Sequence, residues 1–306
     1  MLTDATPPPT GLSAWLRSET PDGVLQAAAQ QAWRGAVQFA LHPLGVVGLA
    51  VILLLVFAAA AAPWLTPYDP AVQDMMGRLA PPSAAHWLGT DEFGRDIFAR
   101  LVYGARTTIT IIVLVTVIVA PIGLVVGVCA GYLGGWADEI LMRITDVFLA
   151  LPGLVLALGF AAALGAGITN AIIAIALTAW PPIARLARAE ALGLRQADFI
   201  AAVRLQGASP ARIIVRHVVP MCLPSVVVRV TLGMAGVILT AAGLGFLGLG
   251  AKPPMPEWGA MVSTGREFMI DSPWVVMAPG LAIAAVSLAF NLVGDALRDV
   301  LDPRGS

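Results

Sequence analysis

Three histidines, two cysteines, one lysine and a set of arginines are the side chains that could hold a metal, attack a substrate or bind an anion. Their spacing decides which chemistry is open. His42, His86 and His217 are scattered, with no helical His pair and no acidic partner at ligand spacing, which argues against a metal centre. Ser263, Ser272 and Ser287 have no base at a recognisable distance, so no nucleophile is activated. Lys252, the only lysine, does not follow the glycine spacing of a phosphate-cradling loop, and ATP hydrolysis by that route is closed to this chain. Gly243, Gly245, Gly248 and Gly250 superficially match a dinucleotide fingerprint, but no strand precedes them and their neighbours are Leu and Phe. Small residues for close helix packing are the better account. Cys129 and Cys222 lie in apolar stretches and read as small buried hydrophobes, without a disulfide framework. No catalytic constellation and no bound cofactor is expected.

What remains is arginine. Between 185 and 220 stand six of them, Arg185, Arg188, Arg195, Arg204, Arg212 and Arg216. The segment reads as two short amphipathic helices: Asp198 caps the first, Gly207 supplies a left-handed stop, and Ser209-Pro210 starts a second that Pro220 ends. Lipid could not satisfy such a segment, so it projects into water or against another protein. Arg229 differs, because it falls nine residues past Pro220, roughly 13 Å along an apolar run. Two readings stay open: it faces a cavity or partner on a translocation path, or it snorkels to the interface.

The elements that must position these residues are membrane helices. At 58% apolar residues, 12% charged and a mean hydropathy of +0.84, the 306 residues match a polytopic membrane protein. A net charge of −1 argues against nucleic-acid binding. Six runs approach the length of about 20 residues that crosses a bilayer: 44–62, 107–130, 147–168, 169–184, 221–249 and 273–294. The fourth is short and is expected to stop at Trp180-Pro181-Pro182; a tight hairpin is expected at 167–170, and kinks at Pro121 and Pro152. The expected organisation is a cytoplasmic segment 1–43 with an interfacial helix (Leu25, Ala28, Ala32, Ala36, Val37), a first span 44–62 retained as an anchor, an external segment 63–106, a five-helix core 107–297 containing the loop 185–220, and a tail 298–306. With both termini inside, eleven arginines fall on the cytoplasmic side against six basic residues outside.

The stretch Phe199-Ile-Ala-Ala-Val-Arg-Leu-Gln-Gly207-Ala-Ser-Pro-Ala-Arg-Ile-Ile-Val-Arg-His-Val-Val-Pro220 resembles the cytoplasmic signature of ABC importer permeases, with a glycine thirteen residues before a proline. Ala201-Ala202-Val203 stands where that family often has Glu-Ala-Ala, so a salt bridge from the glutamate does not carry over. Further stretches resemble the C-type permease of dipeptide and oligopeptide importers: Leu88-Gly-Thr-Asp-Glu-Phe-Gly-Arg-Asp96, Tyr103-Gly-Ala-Arg106, Gly135-Trp-Ala-Asp138 with Met142-Arg-Ile-Thr-Asp146, Leu149-Ala-Leu-Pro152, Pro253-Pro-Met-Pro-Glu-Trp-Gly259 and Phe290-Asn-Leu-Val-Gly-Asp295 with Leu297-Arg-Asp299 and Leu301-Asp-Pro303. Together they cover about residues 44–304.

The resemblance implies an all-α permease of the type I ABC importer kind, with six transmembrane helices and a cytoplasmic helix-hinge-helix coupling loop. It implies a multi-pass subunit in a prokaryotic cytoplasmic membrane that carries di- or oligopeptides. Its implied partners are a second permease, two cytoplasmic ATPases that bind ATP and Mg, and an external substrate-binding protein. Ala201, Ala202, Val203, Arg204, Leu205, Gly207, Ala208, Arg212, Ile213 and Pro220 form the candidate ATPase-coupling loop, with Val203, Leu205 and Ile213 supplying apolar contacts. Asp91, Arg95 and Asp96 with Glu257 and Trp258 are candidate contacts to the delivery protein or an external gate; for 91–96, internal salt bridging is favoured. Glu139 and Arg143 are expected to pair on a helix surface. Alternatives are a permease for nickel chelates, glutathione or another small solute, a stand-alone secondary carrier, and a membrane enzyme.

Overall fold

The computed structural model describes residues 23–301, which are helical throughout apart from connecting loops; no strand occurs among them, only the isolated bridge of Thr90 with Asp96. The elements are α1 Val24–Ala40, α2 Pro43–Leu65, α3 Ile97–Leu133, α4 Gly135–Leu149, α5 Gly153–Leu164, α6 Ile168–Ala179, α7 Pro181–Arg195, α8 Asp198–Leu205, α9 Pro210–Ile213, α10 Val219–Phe246, α11 Trp258–Gly265 and α12 Trp274–Leu301. Five helices are long and apolar enough to cross a bilayer: α2, α3, α6 continued into α7, α9 continued into α10, and α12. The pair α4 and α5, bent by 89° at Pro152, supplies a sixth crossing if it counts as one. This corrects the expected third span at 147–168. Pro152 caps a new helix of only 12 residues instead of kinking a long one.

Two expected stops are passed through. The fourth run does not end at Trp180, because Trp180 is itself in right-handed helical geometry and Pro181 occupies the first position of α7, where a missing N–H costs nothing. The helix runs from Ile168 to Arg195, carrying Arg185 and Arg188 on its length and not in a loop. Pro220 likewise begins α10. A π turn at Ile214–Val218, in which the Val219 N–H donates to the Ile214 carbonyl, absorbs the irregularity, and the chain reads as one helix from Pro210 to Phe246. Asp198 lies in the first turn of α8, with Ala197 at its cap. The tight turn after α5 falls at Gly165–Gly167, where the Asn170 amide donates to the Leu164 and Gly165 carbonyls at 2.8 and 3.0 Å. Pro121 sits inside an unbroken α3.

Helix α3 is the axis of the packing. Gly123, Gly127 and Gly131 recur every four residues along it, and opposite them stand Ile183, Ala184, Ala187 and Ala191 of α7, the three alanines fully buried. A Cβ on Gly127 would collide with the Ala184 carbonyl oxygen, so the two backbones touch, which is how helices associate where lipid offers no hydrophobic gradient. At 37 residues α3 is about 55 Å long, longer than the bilayer core, and its two ends carry separate polar clusters. Helix α12 starts beside the first cluster, where Val275 neighbours Asp91 and Arg100, and runs to the opposite end, where His42 meets Asp299 at 3.2 Å and Val300 approaches Gly35 of α1. The helix expected around residues 25–37 is α1, and the side it buries carries Gln26 and Gln30, while Leu25 is exposed.

Candidate functional site

At the far end of α3 the chain forms an elbow. Helix α8 spans eight residues, Gly207 turns the chain at φ +81, and the Ser209 hydroxyl accepts the Arg212 N–H at 3.4 Å to cap α9. A branched side chain at Gly207 would be strained in that left-handed conformation. Ile200, Ile213 and Val218 are buried to 1% exposure or less and pin the elbow into the helical core. The outer face presents Ala201, Ala202, Arg204, Leu205 and Arg212, with Leu205 90% exposed; Val203 and Ala208 are half-buried. Ile213 is therefore a pin and not a contact, a correction to the expectation that it faces a partner. The cause is its place at the last turn of α9, directed at the core. Pro220 is exposed at the start of α10.

Beneath the elbow, arginines read as solvent- or partner-facing are held by acids of α4. Both Asp138 oxygens accept from Arg188, at 2.5 and 2.6 Å, and Asp146 accepts from Arg185 at 2.6 Å. The Arg204 guanidinium lies over the Tyr132 ring, 5.9 Å from its centroid, with a long 3.5 Å contact to the hydroxyl. The bidentate pair ties α7 to α4, so the elbow stands on a braced base. In the sequence Asp138 and Asp146 stand within motifs, and nothing in their spacing marks these partners. Glu139 and Arg143 are exposed and form no ion pair among the described residues, which corrects the expected helix-surface pair; water solvates both charges where an exposed pair would gain little.

The cluster at the other end of α3 is buried. Asp91 accepts from the Arg95 Nε at 2.7 Å and from the Arg95 and Phe93 backbone N–H groups, and lies 3.3 Å from the Arg100 Nε. Arg95 also donates to Glu92, and Asp96 caps α3 through the Ala99 N–H at 2.6 Å while meeting His86 at 2.9 Å. Charges so enclosed need such partners, and removal of one leaves the other stranded. Glu257 caps α11, accepting the Gly259 and Ala260 N–H groups at 2.8 Å each; burial pushes its carboxyl above the usual carboxylate range, against those two hydrogen bonds. The Trp258 indole donates to the Leu101 carbonyl at 3.0 Å. Asp91, Arg95, Asp96, Glu257 and Trp258 are all 6% exposed or less, so they brace the loops and offer no surface to a delivery protein. Gly245 is glycine because the Glu257 carboxylate occupies the space of its Cβ.

Between the ends, Arg229 lines a cavity of about 350 Å³ walled by α5, α6, α7 and α10, with Val119 of α3. Gly153, Leu154, Thr178, Thr240 and the α10 glycines 233 and 236 share its wall. The sequence singled out Arg229 but carried no signal for its companions, which are apolar or small.

An all-helical membrane subunit with a pinned, protruding elbow has the architecture of a type I ABC importer permease. The "Inward facing conformations of the MetNI methionine ABC transporter" match it with a TM-score of 0.53 at 22% identity, over 66% of this chain and 96% of that one, which bears on the fold alone. The model of the binding-protein-dependent transport system inner membrane component matches residues 123–305, and that of the N-terminal TM domain of oligopeptide transport permease C matches 28–82. The chain belongs to this family of binding-protein-dependent permeases. It is 45% identical over 280 residues to the dipeptide transport system permease protein DppC of Alkalihalophilus pseudofirmus, covering 91% of this chain and 92% of that protein. It is 45% identical over 262 residues to the probable D,D-dipeptide transport system permease protein DdpC of Escherichia coli K12, covering 86% and 88%.

Proposed function

We propose that this chain is the permease subunit of an ATP-driven importer that moves di- or oligopeptides across a prokaryotic cytoplasmic membrane. A second permease completes the pathway, two ATPase subunits dock on the elbow, and a substrate-binding protein delivers peptide to the opposite face. Both termini are cytoplasmic: α1 and the end of α12 pack together at the elbow end of the molecule, which also carries most of the arginines. ATP and Mg belong to the partner ATPases, and the chain itself does no catalysis. Support for peptide as cargo comes from the dipeptide permeases it resembles.

One observation carries the mechanism. The elbow's outer face is exposed while its inner face is pinned by Ile200 and Ile213, and past it the helix is continuous from Pro210 to Phe246. A push on α8 is thereby transmitted to α10 and, through the Arg188–Asp138 brace, to α4 and α7 as one body. The test is reconstitution of the tagged complex with its binding protein. Co-purification of two ATPases and another permease, with peptide uptake that requires ATP, is the expected result. Gradient-driven uptake by this chain alone would make it a secondary carrier and refute the proposal.

A further inference from the structure

The cavity lined by Arg229 carries a single positive charge and no negative one. Arg229 is the only charged residue between Arg216 and Lys252, and Arg216 lies about 20 Å away along the helix. The guanidinium makes no ion pair and no hydrogen bond with any described residue. Arg229 is exposed on the open side of the cavity, so its charge rests on water unless a partner meets it. The chain supplies none: no acidic residue lines the cavity, whose remaining polar groups are the Thr178 and Thr240 hydroxyls and backbone. The Thr178 hydroxyl is turned back on the Ala174 and Ile175 carbonyls. The first-turn amides of Gly153 and Leu154 add partial positive charge to the same wall, since no side chain caps α5 and no acid lies in its first turn. The volume falls within the roughly 300–1,000 Å³ of small-molecule sites. Open space lies beside Gly153, Gly233 and Gly236 on its wall, where a Cβ would meet nothing within 4 Å.

We propose that this cavity is a subsite for the carboxylate of the transported solute, with Arg229 as its transient counter-ion. The inference rests on the peptide-permease reading. Its logic is that a peptide of any composition ends in the same carboxylate, which a guanidinium grips through two charge-assisted hydrogen bonds. The apolar remainder of the wall makes no polar demand on side chains. The site would thus recognise what peptides share and ignore what distinguishes them.

Two measurements on the assembled complex test it. In proteoliposomes with the binding protein, Arg229→Gln should lower the initial rate of dipeptide uptake by about tenfold or more, the loss of one charge-assisted pair. Subunit co-purification should be unchanged, and Arg229→Lys, which keeps the charge but not the two-pronged grip, should recover part of the rate. In nanodiscs without the binding protein, the wild-type complex should bind a labelled dipeptide about tenfold more tightly than its C-terminal amide, and Arg229→Gln should erase that preference. Unchanged uptake in Arg229→Gln, a lysine variant as poor as the glutamine one, equal or absent binding of acid and amide by wild type, or loss of assembly in step with uptake each overturn the subsite. Failure of the wild-type complex to import any peptide would instead overturn the proposed function, so the two failures are distinguishable.

Discussion

Replacing Ile200 with alanine should unseat the elbow without touching its outer face. Ile200 is fully buried and sits in the third position of α8, a helix of eight residues. Isolated helices shorter than about 12–15 residues are marginal in water, so α8 persists because it is packed. Truncating a fully buried isoleucine costs about 2–5 kcal/mol, and a mid-range value of about 3 kcal/mol raises the population of the locally open elbow roughly 100-fold. Hydrogen exchange by mass spectrometry on the assembled complex reads this directly: amides in 201–205 should exchange about 100-fold faster, while those of α3 and α7 keep their protection. Uptake per ATP hydrolysed should fall in the same variant, because a loose pin transmits less displacement. Exchange within about threefold of wild type, or coupling preserved despite fast exchange, would refute the pinned-lever reasoning.

A double-mutant cycle on Arg188 and Asp138, read in the thermal stability of the complex, should give a coupling of about 1–2 kcal/mol. The same cycle on Arg185 and Asp146, both more than half exposed, should give less than about 0.5 kcal/mol. Gly127→Leu places a branched side chain against the Ala184 carbonyl and should abolish assembly on co-purification, whereas Gly159→Leu, with open space at its Cβ, should not. Glu257 gives a pH dependence. Its carboxyl is raised in the folded state, so its contribution to stability is fully present below the ordinary value of 4.5 and is lost as pH rises through the folded value. Melting curves should therefore show wild type losing more stability than Glu257→Gln between pH 4.5 and pH 8, and parallel curves would contradict this.

Much of the scaffold was legible because hydrophobic runs of spanning length report directly on what lipid demands. Prolines misled. In the sequence Pro181-Pro182 and Pro220 look like terminators, yet a proline in the first turn of a helix has no N–H to lose, and a well-placed first turn can follow straight on from the previous helix. Pro152 looks like a kink in one long run, but the step onto Gly153 starts a fresh helix at 89°. Gly207 and Ser209-Pro210 were legible since each acts within its own turn. Three-dimensional partners were not: the spacing of Arg185 and Arg188 says nothing of Asp146 and Asp138, which stand 39 and 50 residues away. In 91–96 the internal salt bridges are those the sequence favours, and only the depth of their burial, with Arg100 as a further partner, was hidden. The cavity around Arg229 was marked by its one charge, and its other walls by nothing.

The most direct test of the account is proximity at the elbow's tip. With cysteine at Leu205, or at Arg212, in a background lacking Cys129 and Cys222, a short bifunctional reagent applied to the intact complex should join this chain to an ATPase subunit, with a yield that changes between nucleotide-free and nucleotide-trapped states. Reaction with solvent reagents only, in every state, would contradict the claim that this elbow is what the motor grips.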